Sequence, residues 1–184
     1  MKQAIKILSE SIEKKYNDSR EQVLLRLNHL MNLCFYDLGK KLSESRKKTE
    51  HDSEFYETLS NELIRKTHRK LIFSVDSLKD YEHFYDLYQN YYSYVPFDYN
   101  KAMDGTFVGE SLYKIISLPW SFNKRIINKC KDVHEAFFYV EEAYYCDWTE
   151  KELIEHIEKN SYKDPNYKVD TTGRSIFDYS FGDK

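Results

Sequence analysis

The chain has 184 residues, with 28 Lys+Arg against 31 Asp+Glu and a net charge of −3. That balance is uneven: residues 1–70 carry 15 basic and 11 acidic side chains (+4), residues 71–184 carry 13 and 20 (−7). The division excludes uniform wrapping by nucleic acid but leaves room for a basic patch on the N-terminal half.

Seventeen Tyr and 11 Phe stand against only 5 Gly and 3 Pro, a composition suited to long helices with few tight turns. A chain of this length buries roughly 70% of its unfolded surface and needs neither disulfide nor metal to fold. Cys34, Cys130 and Cys146 are far apart with no CxxC, as expected of structural thiols in a reducing cytosol. With charges scattered through Met1–Tyr16 no signal peptide is visible, and no apolar run nears the ~20 residues of a membrane span. The expectation is a cytoplasmic protein with no membrane contact.

Met1–Lys15 predicts an amphipathic helix with Ile5, Leu8 and Ile12 on one face. Asn17-Asp18-Ser19 predicts a break, with Ser19 and Gln22 as the capping box of the next helix. That helix should run from about Arg20 to Arg46 and form the spine of the domain. Its inward stripe is read as Val23, Leu27, Leu30/Met31, Cys34 and Leu38, widened by Leu24, Phe35 and Leu42. A face that broad implies burial on more than one side. Gly39 within it predicts a close helix crossing.

A charged stretch follows, then a helix over about Ser53–His68 directed inward at Phe55/Tyr56, Leu59 and Leu63. A short turn leads to a helix over Ser74–Tyr91, capped by Ser74 or Ser77 and buried at Leu78, Tyr81, Phe84/Tyr85 and Tyr88. Residues 90–109 read as an irregular loop rich in tyrosine, and Glu110–Ser117 as a short helix. Leu118–Ile157 predicts three further helices: one capped by Ser121, one from Val133, and one opened by a Thr149/Glu152 capping box. Trp120 and Trp148 should act as core staples. Beyond Asn160 the helical period dissolves. The predicted architecture is all-α: a helical domain over residues 1–160 and an irregular tail over 161–184.

Three ordered blocks carry a family resemblance. They are Asn28–Leu42 (NHLMNLCFYDLGKKL), then Phe73, Ser74, Leu78, Phe84, Tyr85 and Tyr88. The third is Pro119-Trp120-Ser121 with Asp132, Phe138-Tyr139, Trp148-Thr149, Leu153 and His156-Ile157. Together they resemble the N-terminal helical domain of the YhcG-type, nuclease-associated family over about Gln22–Ile157. In that family the domain precedes a PDDEXK-type nuclease, which binds Mg²⁺ through an Asp and a following [D/E]-x-K. Residues 160–184 hold no Glu and no [D/E]-x-K, so the resemblance implies no nuclease activity for this chain.

No other enzyme class is indicated. The six histidines are dispersed, Glu152 and His156 read as an ordinary solvated pair, and no phosphate loop, GxSxG or HExxH is present. The expectation is no catalytic residue, no metal and no cofactor. What remains is a helix-turn-helix-like unit over Ser53–Tyr91 in a DNA-associated module. Its candidate nucleic-acid contacts are Lys41, Arg46, Lys47, Lys48, Arg65, Lys66, Arg69 and Lys70. Glu82 departs from the family, which usually has arginine there, and Asp76, Lys79, Asp80, Glu82, His83 and Asp86 are expected to be exposed. The alternative is a protein-interaction module, a dimerising accessory or inhibitor protein in a mobile-element, phage or genome-defence context, acting through its acidic, tyrosine-rich surface. Tyr91, Tyr92, Tyr94 and Tyr99 would form its partner surface.

Overall fold

The computed structural model describes residues 2–47, 54–92 and 110–167, with no side-chain description at 90–92 and 110–111. Seven α-helices account for nearly all of it: α1 (Lys2–Arg46), α2 (Phe55–Thr67), α3 (Val75–Tyr92), α4 (Glu110–Ser117), α5 (Trp120–Lys129), α6 (Val133–Tyr145) and α7 (Glu150–Glu158). A 3₁₀ turn at Ser161–Lys163 is the last element of the described residues. About 83% of the described residues are helical and none is in a strand. The all-α expectation holds.

The predicted break at Asn17–Ser19 does not occur, because α1 is one helix of 45 residues, about 68 Å long. The Ser19 hydroxyl donates back to the Lys15 carbonyl (2.8 Å), an arrangement that keeps a serine inside a helix instead of starting one.

The stripe read as inward is the second correction. Val23 is 65% exposed, Leu27 51%, and Met31 and Cys34 also face solvent. Phe35 and Leu42 are buried as expected, with Leu30 and Leu38 half-buried, and the face that packs also carries Asn32, Leu33, Gly39 and Ser43. Periodicity could not tell the two stripes apart, because the deciding residues are polar. Asn28 donates to the Ser117 carbonyl (3.0 Å), and Asn32 to those of Ile116 and Leu118 (2.9 and 2.7 Å). Asn123 of α5 donates to Ile115 (2.9 Å) and to the Asn32 side chain (3.3 Å). The last turn of α4, whose carbonyls have no helical partners, is thus capped by amides from two other helices.

The main core joins Phe84 and Tyr88 of α3 to Ile115 of α4, Ile126 and Ile127 of α5, Tyr139 and Val140 of α6 and Leu153 of α7. A second cluster gathers Phe35 and Leu42 of α1 with Leu78 and Tyr81 of α3, covered by Phe55, Tyr56, Leu59 and Leu63 of α2. Trp120 packs against both, with ring centroids 4.7 Å from Phe35 and 5.3 Å from Phe84. Trp148 stacks flat on His156 at 4.0 Å. Both tryptophans therefore act as the staples expected of them.

α5 begins one residue before Ser121, on the Pro119 carbonyl, with no side-chain cap. The Thr149/Glu152 capping box of α7 forms in both directions. The first residues of the expected tail pack on the body, through Tyr167 donating to Glu142 (2.7 Å) and Ser161 bonded to His156 (2.9 Å).

Candidate nucleic-acid interface

α2 ends on His68, which turns into the left-handed region (φ 58°) while its N–H reaches the Ile64 carbonyl (2.8 Å). Residues 68–74 then link α2 to α3. That is longer than the roughly three- or four-residue turn of a DNA-binding helix-turn-helix, so only the order of elements matches that motif. Side chains hold the link at several points. Ser60 donates to the Phe73 carbonyl (2.6 Å), Tyr81 to Ile72 (3.1 Å) and Ser77 to Leu71 (2.9 Å). Ser74 caps α3 by accepting from the Ser77 N–H (3.2 Å).

These bonds fix a loop whose outer residues project into solvent. Arg69 and Lys70 are exposed, and Leu71 is 88% exposed. Among the described residues no carboxylate pairs with Arg69, Lys70, Lys41 or Lys47.

The other candidate cations are occupied. Arg65 and Lys66 both bind Glu62 (2.7 and 3.1 Å), which holds that carboxyl down at about 2. Arg46 binds Glu82 at 2.6 Å, and the same hydrogen bond raises the arginine's affinity for its proton. Lys48 lies outside the described residues, as do Tyr94 and Tyr99. Tyr91 and Tyr92 end α3, with no description of their side chains.

The acidic face expected on α3 is overturned. Glu82 and Asp80 are buried, at 5% and 8% exposure. Asp80 accepts from Lys124 (2.8 Å) and Asn128 (3.0 Å) of α5, and Asp86 accepts from Ser43 of α1 (2.8 Å). Burial favours these carboxylates only with such partners, so they tie α3 to its neighbours. Asp76, Lys79 and His83 alone remain exposed among the six residues named for this face.

The family model described as the DUF1016 N-terminal domain matches residues 11–164. The chain belongs to that family. It is the N-terminal domain of the YhcG-type proteins that its three blocks resemble. No curated protein and no solved structure matches the chain.

Within this DUF1016 N-terminal domain, the structure brings Arg65, Lys66, Arg69 and Lys70 to one end of α2 and its loop. Lys41 and Arg46 stand on the last two turns of α1 and Lys47 just beyond its end, and Leu42 of α1 shares a cluster with Phe73 at the loop's end. Leu71 was missed by sequence reasoning. A leucine between two polar runs carries no periodic signal, and only the three hydrogen bonds to residues 71–73 reveal its projection. Among the described residues no three His, Cys, Asp or Glu side chains gather to hold a metal ion.

Proposed function

We propose that this domain is a non-catalytic DNA-associated module whose contact surface centres on the α2–α3 loop. The observation that carries the reading is a side-chain-braced loop presenting two unpaired cations, Arg69 and Lys70, beside the exposed Leu71. Cations on a fixed scaffold meet phosphates with little loss of freedom, and each neutralised phosphate releases counterions. The inward turn of Asp80, Glu82 and Asp86 supports the reading as well, since it removes three carboxylates that would repel a phosphate backbone.

The test is binding of the full chain to a labelled duplex at two salt concentrations. Affinity should fall steeply as salt rises, and no detectable binding at ~50 mM salt would sink the reading. A second reading, protein association, is favoured by the apolar outer face of α1.

A further inference from the structure

Six apolar side chains of α1 are more than half exposed and share one side: Ile5, Leu8, Ile12, Tyr16, Val23 and Leu27, at 51–68%. Nine residues, two and a half turns, separate Val23 from the fully buried Asn32, so this side points away from the domain. The positions recur at elevens: Ile5, Tyr16 and Leu27 form one series, and Ile12, Val23 and Cys34 another. An eleven-residue repeat keeps an apolar seam straight along a helix and pairs helices with slight right-handed winding. A lone surface helix has no need of that regularity.

Charge placement selects the occupant. Glu13 and Arg20 lie on the same flank of the seam, seven residues apart. In an antiparallel pair centred between Tyr16 and Asn17, Glu13 of each copy stands opposite Arg20 of the other, giving two reciprocal ion pairs. In the same register Lys6 falls opposite Leu27 and Lys2 opposite Met31, so no like charges of this flank meet. Ile5 reaches the level of Asn28, whose side chain bonds the Ser117 carbonyl. Within this overlap Asp18, Glu21 and Leu25 point to the other side of α1, where Asp18 and Leu25 are half-buried and Glu21 lies near Asp147, so the apolar seam stays turned away from the body.

At roughly 100 Å² from each of six side chains, pairing buries about 600 Å² per copy before flanking stems, near the ~800 Å² of a standard interface. Membrane-surface helices instead concentrate Lys and Arg on their polar side. Here Lys6 is already paired with Glu10, and Glu21 is interspersed with Lys14 and Lys15.

We infer that two copies of this chain associate through the N-terminal half of α1 as an antiparallel helix pair centred on Tyr16. The inference does not rest on DNA binding. Light-scattering mass measurement of the full chain at ~100 µM should give twice 22.2 kDa. Ile12→Glu should return the mass to one chain with the helical circular dichroism unchanged. Glu13→Arg should weaken the dimer about tenfold, and Glu13→Arg with Arg20→Glu should restore it. A single-chain mass at that concentration overturns the inference, whether or not the monomer then binds anionic vesicles. A dimer that survives Ile12→Glu overturns it too, as does a double reversal that fails to rescue. Dimerisation should persist when Arg69 and Lys70 are both changed to Ala, which separates it from the DNA reading.

Discussion

A Cβ built on Gly39 would stand 1.9 Å from the Tyr81 carbonyl oxygen and 2.9 Å from the Tyr85 Cβ. α1 and α3 therefore cross nearly backbone to backbone, at a point where only a hydrogen fits. Because the obstacle includes backbone, it cannot rotate aside. Gly39→Ala should lose stability by ~2 kcal/mol or more, although alanine is the better helix former by about 1 kcal/mol. Urea unfolding should show the midpoint fall with little change in slope. An equal or higher midpoint would remove the crossing from the argument.

Arg46 and Glu82 form an ion pair between α1 and α3, with the carboxylate side chain 7% exposed and the arginine 40%. Removing the cation strands a buried charge, whereas removing the charge from the acid leaves a hydrogen-bonding group. Arg46→Ala should cost about 2 kcal/mol and Glu82→Gln clearly less. Thermal melts of both variants at neutral pH check the order. A larger loss for Glu82→Gln would contradict it.

His29 bonds the Ser117 hydroxyl through Nε2 (2.9 Å), and burial lowers its pKa from 6.5 to about 4. As pH falls, the unfolded imidazole takes up its proton near 6.5 while the folded one resists until about 4. The stability associated with neutral His29 is thus whole above pH 6.5 and declines between 6.5 and 4. The shift corresponds to at most ~3 kcal/mol, less what residual solvent contact screens. His29→Gln should flatten that part of the stability–pH curve; an unchanged slope would assign it to other groups.

The DNA reading divides its cations. Arg69→Ala with Lys70→Ala should lower duplex affinity several-fold and reduce the log–log salt slope by about 2. Arg65→Ala with Lys66→Ala should do less, because Glu62 already engages both. Leu71→Ser should weaken binding without altering the salt slope. Equal slopes for both cation pairs would remove the special place of the loop.

Much of the helical layout was legible because α2, α3 and α7 each bury an apolar face and two begin on hydroxyl caps, Ser74 and Thr149. α1 was misread for a physical reason. Its core face is marked by Asn28, Asn32 and Gly39, residues that hydrophobic periodicity passes over, while Val23, Leu27 and Met31 of its apolar series face outward. The acidic residues of α3 misled similarly, since partners for Asp80 and Glu82 lie 44 and 36 residues away in sequence, at Lys124 and Arg46. Charge counting sees neither. The basic candidates could be listed from sequence, but only folding showed that Glu62 and Glu82 engage three of them.

The flat stack of Trp148 on His156 gives the two halves of the molecule separate optical signatures. A protonated imidazole accepts an excited electron from indole more readily than a neutral one. Trp148 emission should therefore dim as His156, whose proton is held less tightly through burial, is acidified. Trp120 sits instead among Phe35, Tyr81 and Phe84, none of which changes charge in that range. One indole thus reports the α6–α7 corner and the other the junction of α1, α3 and α5, so loosening of either end can be followed without attaching a dye.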